Sequence, residues 1–267
     1  MAAVFELTDV SVMRAGKYLL NRISWQVNTG EHWVVIGPNG AGKTTLLQIL
    51  SANLHPTSGA AQILGEPLGG VDVFELRTRI GHTSSTIAER VPTNETVQNL
   101  VLSAAYAVLG RWNEEYDEQD HARAQAMMAE LGIVALADRT FGTLSEGEKK
   151  RVLICRALMT DPEAILLDEP AAGLDVGARE DLIESIEALA SDAQGPALVM
   201  VSHHLEEIAP GFTHALLLAK GQIVAAGPIA QTLTSSNLTA AFGQRLEVSH
   251  DHGRFVARRP PARHRAN

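Results

Sequence analysis

The sequence feature that most constrains this fold is a glycine-rich segment at 37–44, which follows a short apolar run, Trp33–Ile36. The residues after it, 44–50, have the pattern of a helix. In a strand–loop–helix unit of this kind, the backbone amides of the loop and of the helix N-terminus point at one spot and bind phosphate oxygens. The segment therefore predicts a phosphate-binding loop after a buried strand.

The residue types in the loop also predict the ligand. Side chains at Gly40 or Gly42 would obstruct a phosphate, Lys43 can bridge the β- and γ-phosphates, and the Thr44 hydroxyl can ligate Mg²⁺. We therefore expect ATP and Mg²⁺ as cofactors. The positions predicted to bind the nucleotide are Gly37, Pro38, Asn39, Gly40, Ala41, Gly42, Lys43, Thr44 and Thr45.

A second apolar run, Ala164–Asp168, ends in two acids that precede Pro170. A buried strand that delivers two carboxylates at its end suits metal-assisted phosphoryl transfer. Asp168 is predicted to hold Mg²⁺, directly or through water, and Glu169 to orient and deprotonate the attacking water. An ordinary exit from strand to turn is the alternative interpretation.

A third segment, LSEGE at 144–148, precedes an amphipathic helix. Ser145 and Glu148 fit a capping box, in which both side chains bond to free backbone amides. A helix N-terminus that carries Ser145 and Gly147 is also an anion site, and the two interpretations are compatible. Because one phosphate loop already exists, the second anion site is expected to reach a γ-phosphate held by another subunit.

The order of patterns along the chain predicts an α/β fold. Alternation of apolar and polar residues in 4–12 and 19–27 predicts antiparallel strands with one solvated face. From Trp33 onward, apolar runs alternate with amphipathic helices, as in a parallel sheet covered by helices. Strand signals stop over 86–143, where we expect a helical insertion, so the predicted core comprises 1–85 and 144–245.

Composition limits the partners and the location. The net charge of −9 argues against nucleic-acid binding, and no run approaches the roughly 18 apolar residues of a spanning helix. A single cysteine and the lack of a signal segment favour the cytoplasm. The segment 246–267 is expected to be a disordered basic tail, because residues 250–267 contain five arginines and one aspartate. Contact of this tail with anionic lipid or RNA is the alternative.

Taken together, the motifs resemble those of ATPase subunits of ABC transporters, and the resemblance extends to about residue 245. The resemblance implies a P-loop NTPase core with a parallel sheet, an N-terminal antiparallel β subdomain and an inserted α-helical subdomain. The branch it looks most like is labelled as molybdenum- or iron-related. The motifs that carry it are 37–44, LSEGE at 144–148, ILLDEP at 165–170, AGLD at 172–175, and Ser202 with His203.

The resemblance also implies roles and partners. Ser145 and Gly147 would close on the partner's nucleotide, Asp175 would lie in a loop that crosses the dimer interface, and His203 would contact the γ-phosphate. With Lys43 and Glu169, His203 completes the implied catalytic set. The implied assembly is a homodimer, or a pair with a paralogue, with ATP at the interface and a separate transmembrane permease, at the inner face of the cell membrane. A soluble ABC ATPase that drives a cytosolic assembly is the alternative.

Several positions depart from the family pattern. Ser85 stands where a glutamine usually approaches Mg²⁺, and a serine spans that gap only through water. Arg14 stands near the aromatic residue that usually stacks on adenine; a guanidinium plane can also stack, and Tyr18 is a second candidate. Glu146 and Glu148 replace the usual Gly and Gln, and the basic residues 149–151 are expected to offset their charge.

Overall fold

The computed structural model describes residues 2–106 and 116–260. The strands in these residues are β1 (Ala3–Arg14), β2 (Lys17–Asn28), β3 (Trp33–Ile36), β4 (Ser58–Ile63), β5 (Glu66–Pro67), β6 (Ile80–Thr83), β7 (Ala164–Asp168), β8 (Ala197–Ser202), β9 (His214–Ala219), β10 (Gln222–Pro228), β11 (Glu247–Asp251) and β12 (Arg254–Arg258). The α-helices are α1 (Lys43–Leu50), α2 (Val73–Thr78), α3 (Ser85–Arg90), α4 (Val97–Leu102), α5 (Glu118–Glu130), α6 (Glu146–Leu158), α7 (Val176–Ser191), α8 (Ile229–Thr232) and α9 (Ser235–Phe242).

The central sheet has the order β10-β9-β3-β8-β7-β6. Its strands are parallel except β10, which pairs antiparallel with β9. The strands β3 and β8 are buried along their whole length, as apolar runs covered on both faces should be. Ile36 pairs with Ser202, and Asp168 pairs with Val201. The ends of β3, β7 and β8 therefore bring the glycine-rich loop, the acid pair and His203 to one edge.

A second sheet, of order β2-β1-β4-β5, is antiparallel and confirms the prediction for the start of the chain. Helix α1 packs against both sheets. Its Leu46 and Leu50 belong to one buried cluster. That cluster also contains Phe5 and Trp25 from the antiparallel sheet and Val35 from the central sheet. Burial of each such side chain contributes about 1.5–3 kcal/mol, so this cluster fixes the helix that begins at the loop.

Helices dominate the described part of 86–143. They include α4 and α5, and among the described residues of this stretch the only β-type pairing is an isolated bridge between Thr96 and Thr140. Residues of α4 and α5 pack with α6 in a second buried cluster, which includes Leu100, Met128 and Val152. Residues 107–115 lie outside the described part of the chain.

The prediction of a disordered tail from 246 onward is wrong for β11 and β12, which form an antiparallel hairpin. Val248 and Phe255 are partly buried against the core. The Arg254 guanidinium donates to the Glu206 carbonyl at 2.8 Å and to the Glu180 carboxylate at 2.9 Å. These contacts order the hairpin, although the segment 246–267 as a whole is basic. Residues 261–267, which include Arg263 and Arg265, are outside the described residues.

Among residues 2–106 and 116–260, none of the helices combines the length and the apolar character needed to cross a bilayer.

Candidate functional site

The N-terminus of α1 differs from that of the other long helices in having no side-chain cap. Gly42 is its N-cap residue, with φ of 108°. Side chains cap the other described helices of eight residues or more, namely Asp117, Ser145, Asp175 and Thr234. The first amides of a helix have no intrahelical acceptor, so those of α1 are available to an external oxyanion. This arrangement fits the phosphate group that the sequence predicts.

The glycines of the loop meet different demands. A Cβ at Gly37 would lie 2.0 Å from the Leu218 carbonyl oxygen, and one at Gly42 would lie 2.6 Å from the Leu19 carbonyl oxygen. Gly40 has φ of 76° and no heavy atom within 4 Å of its Cβ position. Neighbouring backbone therefore requires glycine at 37 and 42, and backbone conformation favours it at 40. The sequence indicated only the clearance needed by a phosphate.

Lys43 and His203 are in direct contact beneath the loop. The buried Lys43 Nζ lies 2.8 Å from the Gly37 carbonyl oxygen and 3.3 Å from Nδ1 of His203. An ammonium only donates, so Nδ1 accepts and the imidazole proton sits on Nε2. That Nε2 contacts the Glu169 carboxylate. Three predicted catalytic residues are thus linked in one chain of contacts. Burial lowers the pKa of Lys43, while Glu169 and Asp168 oppose this shift.

Glu169 adopts a backbone conformation that its sequence does not reveal. Its φ is 50°, in the left-handed region, and its backbone N–H donates to the Val201 carbonyl at 3.0 Å. This conformation costs about 1–2 kcal/mol for a residue with a Cβ. The turn after β7 carries the Glu169 side chain toward His203, while Asp168 remains at the end of the strand. The two adjacent acids are therefore separated in direction.

Asp168 is the acid whose surroundings suit a metal ligand. Burial, and next the neighbouring Glu169, raise its pKa, while Lys43 and Lys150 oppose the shift. A nearby cation favours the ionised form of such a carboxylate, so a divalent ion fits this position. Thr44, the second predicted ligand of Mg²⁺, is exposed in the first turn of α1 and is therefore accessible to an ion. Lys150 shares a small cavity with Asp168, although the sequence indicated only that it offsets Glu146 and Glu148.

The segment 83–85 approaches this cavity through Ser84 instead of Ser85. Thr83 and Ser84 line the cavity that contains Asp168. Ser84 also caps α3, where its hydroxyl accepts from the Ile87 N–H at 3.3 Å. Ser85 is exposed in the first turn of that helix. The residues that line this cavity therefore include Ser84 and not Ser85, and the role of Ser85 as a magnesium ligand stays a prediction.

The predicted capping box at α6 is present. The Ser145 N–H donates to the Glu148 carboxylate at 2.7 Å, and the Glu148 N–H donates to the Ser145 hydroxyl at 3.3 Å. The first of these bonds lowers the pKa of Glu148. A Cβ at Gly147 would lie 2.9 Å from the Ala178 Cβ. Asp175 caps α7 by accepting from the Ala178 N–H at 2.9 Å, so Gly147 and Asp175 both meet the start of α7.

Arg14 lies at the exposed end of β1, opposite Lys17 in β2. Tyr18 is close by, pairs with Met13 and is also exposed. Both side chains are therefore accessible to the adenine ring of a nucleotide. The role of Arg14 or Tyr18 in stacking on adenine stays a prediction.

A parallel sheet that carries a glycine-rich loop, an acid pair and a histidine to one edge defines an ATPase of the P-loop class. The model of the ABC transporter family matches residues 20–172, more than half of the chain. The chain therefore belongs to the ABC transporter family, as an ATP-binding and ATP-hydrolysing subunit. The alternative of a soluble assembly ATPase is not favoured.

Individual relatives agree with this assignment. The chain is 40% identical over 260 residues to an uncharacterized ABC transporter ATP-binding protein, YlmA, from Bacillus subtilis, with 97% of this chain and 98% of that protein covered. It is 34% identical over 250 residues to the hemin import ATP-binding protein HmuV of Rhodococcus jostii, with 92% and 82% covered. Among solved structures, the ADP conformation of MJ1267, an ATP-binding cassette of an ABC transporter, is similar with a TM-score of 0.74. That match has 26% identity and covers 86% of this chain and 93% of that one.

Proposed function

We propose that two copies of this chain, or one copy and a paralogue, bind two ATP molecules between them and so drive a separate membrane permease. The observation that carries this proposal is the uncapped N-terminus of α1 beside the chain of contacts from Lys43 through His203 to Glu169. It provides donors for a triphosphate and a base for water at one edge of the sheet. A second helix end, at Ser145, completes the site from the partner.

In each site, the residues 37–45 hold the phosphates through backbone amides, and Lys43 turns from its carbonyl contacts toward the β- and γ-phosphates. His203 donates its Nε2–H to the γ-phosphate, which releases the Glu169 carboxylate. Glu169 then accepts a proton from the attacking water while the bond from γ-phosphorus to the bridging oxygen breaks. The partner's helix end with Ser145 and Gly147 faces the same phosphate, and Asp175 lies at the interface.

Mg²⁺ belongs to the same proposal. Thr44 and Asp168 would hold it, with Ser85 as a third ligand, and Ser84, which lines the Asp168 cavity, is a second hydroxyl to test. When bound there, the ion would supply positive charge that offsets the charge on the phosphate oxygens.

The membrane partner is the second part of the proposal. Closing two sites around ATP releases binding energy into motion, and hydrolysis reopens the dimer. The helices within 86–143, with the loop of Ser84 and Ser85 at their junction with the core, would pass this motion to the permease. We place the subunit in the cytoplasm, at the inner face of the membrane. A hemin-import relative makes a metal chelate the first class of cargo to test.

Phosphate release and complex formation test this function. Purified protein is expected to release phosphate from ATP only when Mg²⁺ is present. The chain, co-expressed with a candidate permease, is expected to co-purify with it from membranes. In vesicles that contain both proteins, the transported substrate is expected to raise the ATPase rate. Recovery with soluble partners alone, and no stimulation by vesicles, would contradict coupling to transport.

A further inference from the structure

The peptide that carries His203 is held by a buried hydrogen-bond relay. Ser202 is the last residue of β8 and is fully buried. Its hydroxyl accepts from the His204 N–H at 2.9 Å and donates to the Glu207 carboxylate. The relay therefore closes around His203, from the residue before it to the residue after it.

Glu207 is an unusual acid for its position. It lies in the short 3₁₀ turn Leu205–Glu207 and is only 6% exposed. Carboxylates are seldom buried to this extent without a specific partner, and the hydroxyl of Ser202 supplies one. The next residue back, Glu206, has a 43% exposed side chain whose carboxylate lies 3.7 Å from Nδ1 of His204. The two adjacent glutamates thus differ in burial and in contact with the relay.

The Ser202 hydroxyl has a single proton and two possible acceptors. One is the Glu207 carboxylate, and the other is the His204 carbonyl oxygen, 3.1 Å away. A charged acceptor forms the stronger hydrogen bond, so the Ser202 hydroxyl donates its proton to the Glu207 carboxylate. The lone pairs of the Ser202 oxygen then point at the His204 N–H. Without Glu207, the hydroxyl would rotate toward the His204 carbonyl, and the bond to the His204 N–H would weaken.

We infer that Glu207 is a positioning residue for ATP hydrolysis, which acts through Ser202 to hold the imidazole of His203 between Lys43 and Glu169. The inference rests on the proposed function, because His203 acts there on the γ-phosphate. Among the described residues, Glu207 has no hydrogen bond to Lys43, to Asp168 or to Glu169. Glu207 contributes by holding the His203 imidazole in position. A displacement of about 1 Å in a reacting group can lower the rate about 100-fold.

Steady-state kinetics of matched variants test the inference. Glu207→Ala is expected to lower kcat about 10- to 100-fold with little change in KM for ATP. Glu207→Gln keeps an oxygen acceptor but loses the charge, and is expected to lose less activity than Glu207→Ala. Glu206→Ala, the exposed neighbour, is the control and is expected to have no effect. Ser202→Ala is expected to match Glu207→Ala, and the double variant to be no worse than either one.

Two further measurements separate positioning from a loss of folding. In a His203→Ala background, Glu207→Ala is expected to cause no additional loss, since its effect passes through His203. In protein labelled with ¹⁵N-histidine and measured without added nucleotide, the two ring nitrogens of His203 are expected to give distinct signals. Glu207→Ala is expected to bring these two signals closer together. This second readout does not depend on hydrolysis, so it distinguishes failure of the inference from failure of the proposed function. Unchanged kcat and unchanged ring signals in Glu207→Ala, or an equal loss in the His203→Ala background, would overturn the inference.

Discussion

The Nζ atom of Lys43 lies 3.3 Å from Nδ1 of His203, although 160 positions separate the two residues in the chain. The contact arises because β3 and β8 are adjacent parallel strands in which Ile36 pairs with Ser202. The other ring nitrogen contacts Glu169. In this structure, Lys43 and the proposed base Glu169 therefore both have internal partners, which an incoming triphosphate would replace.

Glu169→Gln tests the assignment of the base. An amide cannot accept the proton of water, so phosphate release is expected to fall by about 10²- to 10⁴-fold, while ATP binding persists. With hydrolysis blocked, ATP is expected to hold a dimer that sedimentation detects. Glu206→Gln is the control with an exposed acid nearby. Undiminished hydrolysis would refute Glu169 as the base, and a strictly monomeric ATP-bound variant at high concentration would refute the shared site.

Gly37→Ala and Gly40→Ala separate two reasons for glycine in the loop. At position 37 the new Cβ would lie 2.0 Å from the Leu218 carbonyl oxygen, a fixed backbone atom of β9. We expect Gly37→Ala to lose several kcal/mol of unfolding free energy, or to prevent folding. Gly40→Ala meets no neighbour and is expected to cost only about 1–2 kcal/mol, for its positive φ. Thermal and denaturant unfolding measure both; equal losses would contradict the distinction.

Gly147→Ala tests the contact between α6 and α7. The added methyl would lie 2.9 Å from the Ala178 Cβ, so we expect about 1–3 kcal/mol of destabilisation. Removal of the opposing methyl should relieve it. The double variant Gly147→Ala/Ala178→Gly is therefore expected to be about as stable as Ala178→Gly alone. If denaturant unfolding shows that the two losses simply add, the contact is not the cause.

His82 gives the stability of this protein a defined acid dependence. Burial lowers its pKa to about 4 from 6.5. Below pH 6.5 the unfolded chain binds a proton that the folded protein does not, so the free energy of unfolding falls as the pH decreases from 6.5 to 4. The His82 contribution lost between pH 7 and pH 5 is about 2 kcal/mol.

His82→Leu is expected to remove this part of the pH dependence in urea unfolding measured at the two pH values. The side chain of His252 is 93% exposed, so His252→Asn is the control and should keep the slope of the original protein. An unchanged slope in His82→Leu would show that the acid dependence has another origin.

The parts of the fold that were predictable from the sequence are those specified by local patterns. The glycine-rich loop after β3, the apolar run of β7 and the capping box of Ser145 and Glu148 each depend on residues close together in the chain. The left-handed conformation of Glu169 was not predictable, because it arises from the pairing of its N–H with Val201 on the neighbouring strand. That Ser84 lines the cavity with Asp168 was not predictable for a related reason: it follows from where α3 begins.

The hairpin of β11 and β12 was missed because the basic composition of the whole segment 246–267 concealed a short alternation of apolar residues. The structure shows what this segment packs against: Val248 and Phe255 contact the core, and Arg254 donates to the Glu206 carbonyl. Composition is a property of the segment alone, whereas these contacts form only when the rest of the chain has folded.

The bond from Arg254 to the Glu206 carbonyl has a practical consequence for handling this protein. Truncation before residue 254 would remove a support of the turn that follows His203, and so would reach the catalytic edge of the sheet from a distance. An affinity tag or fluorescent reporter should therefore be appended after the last residue, with the hairpin left intact.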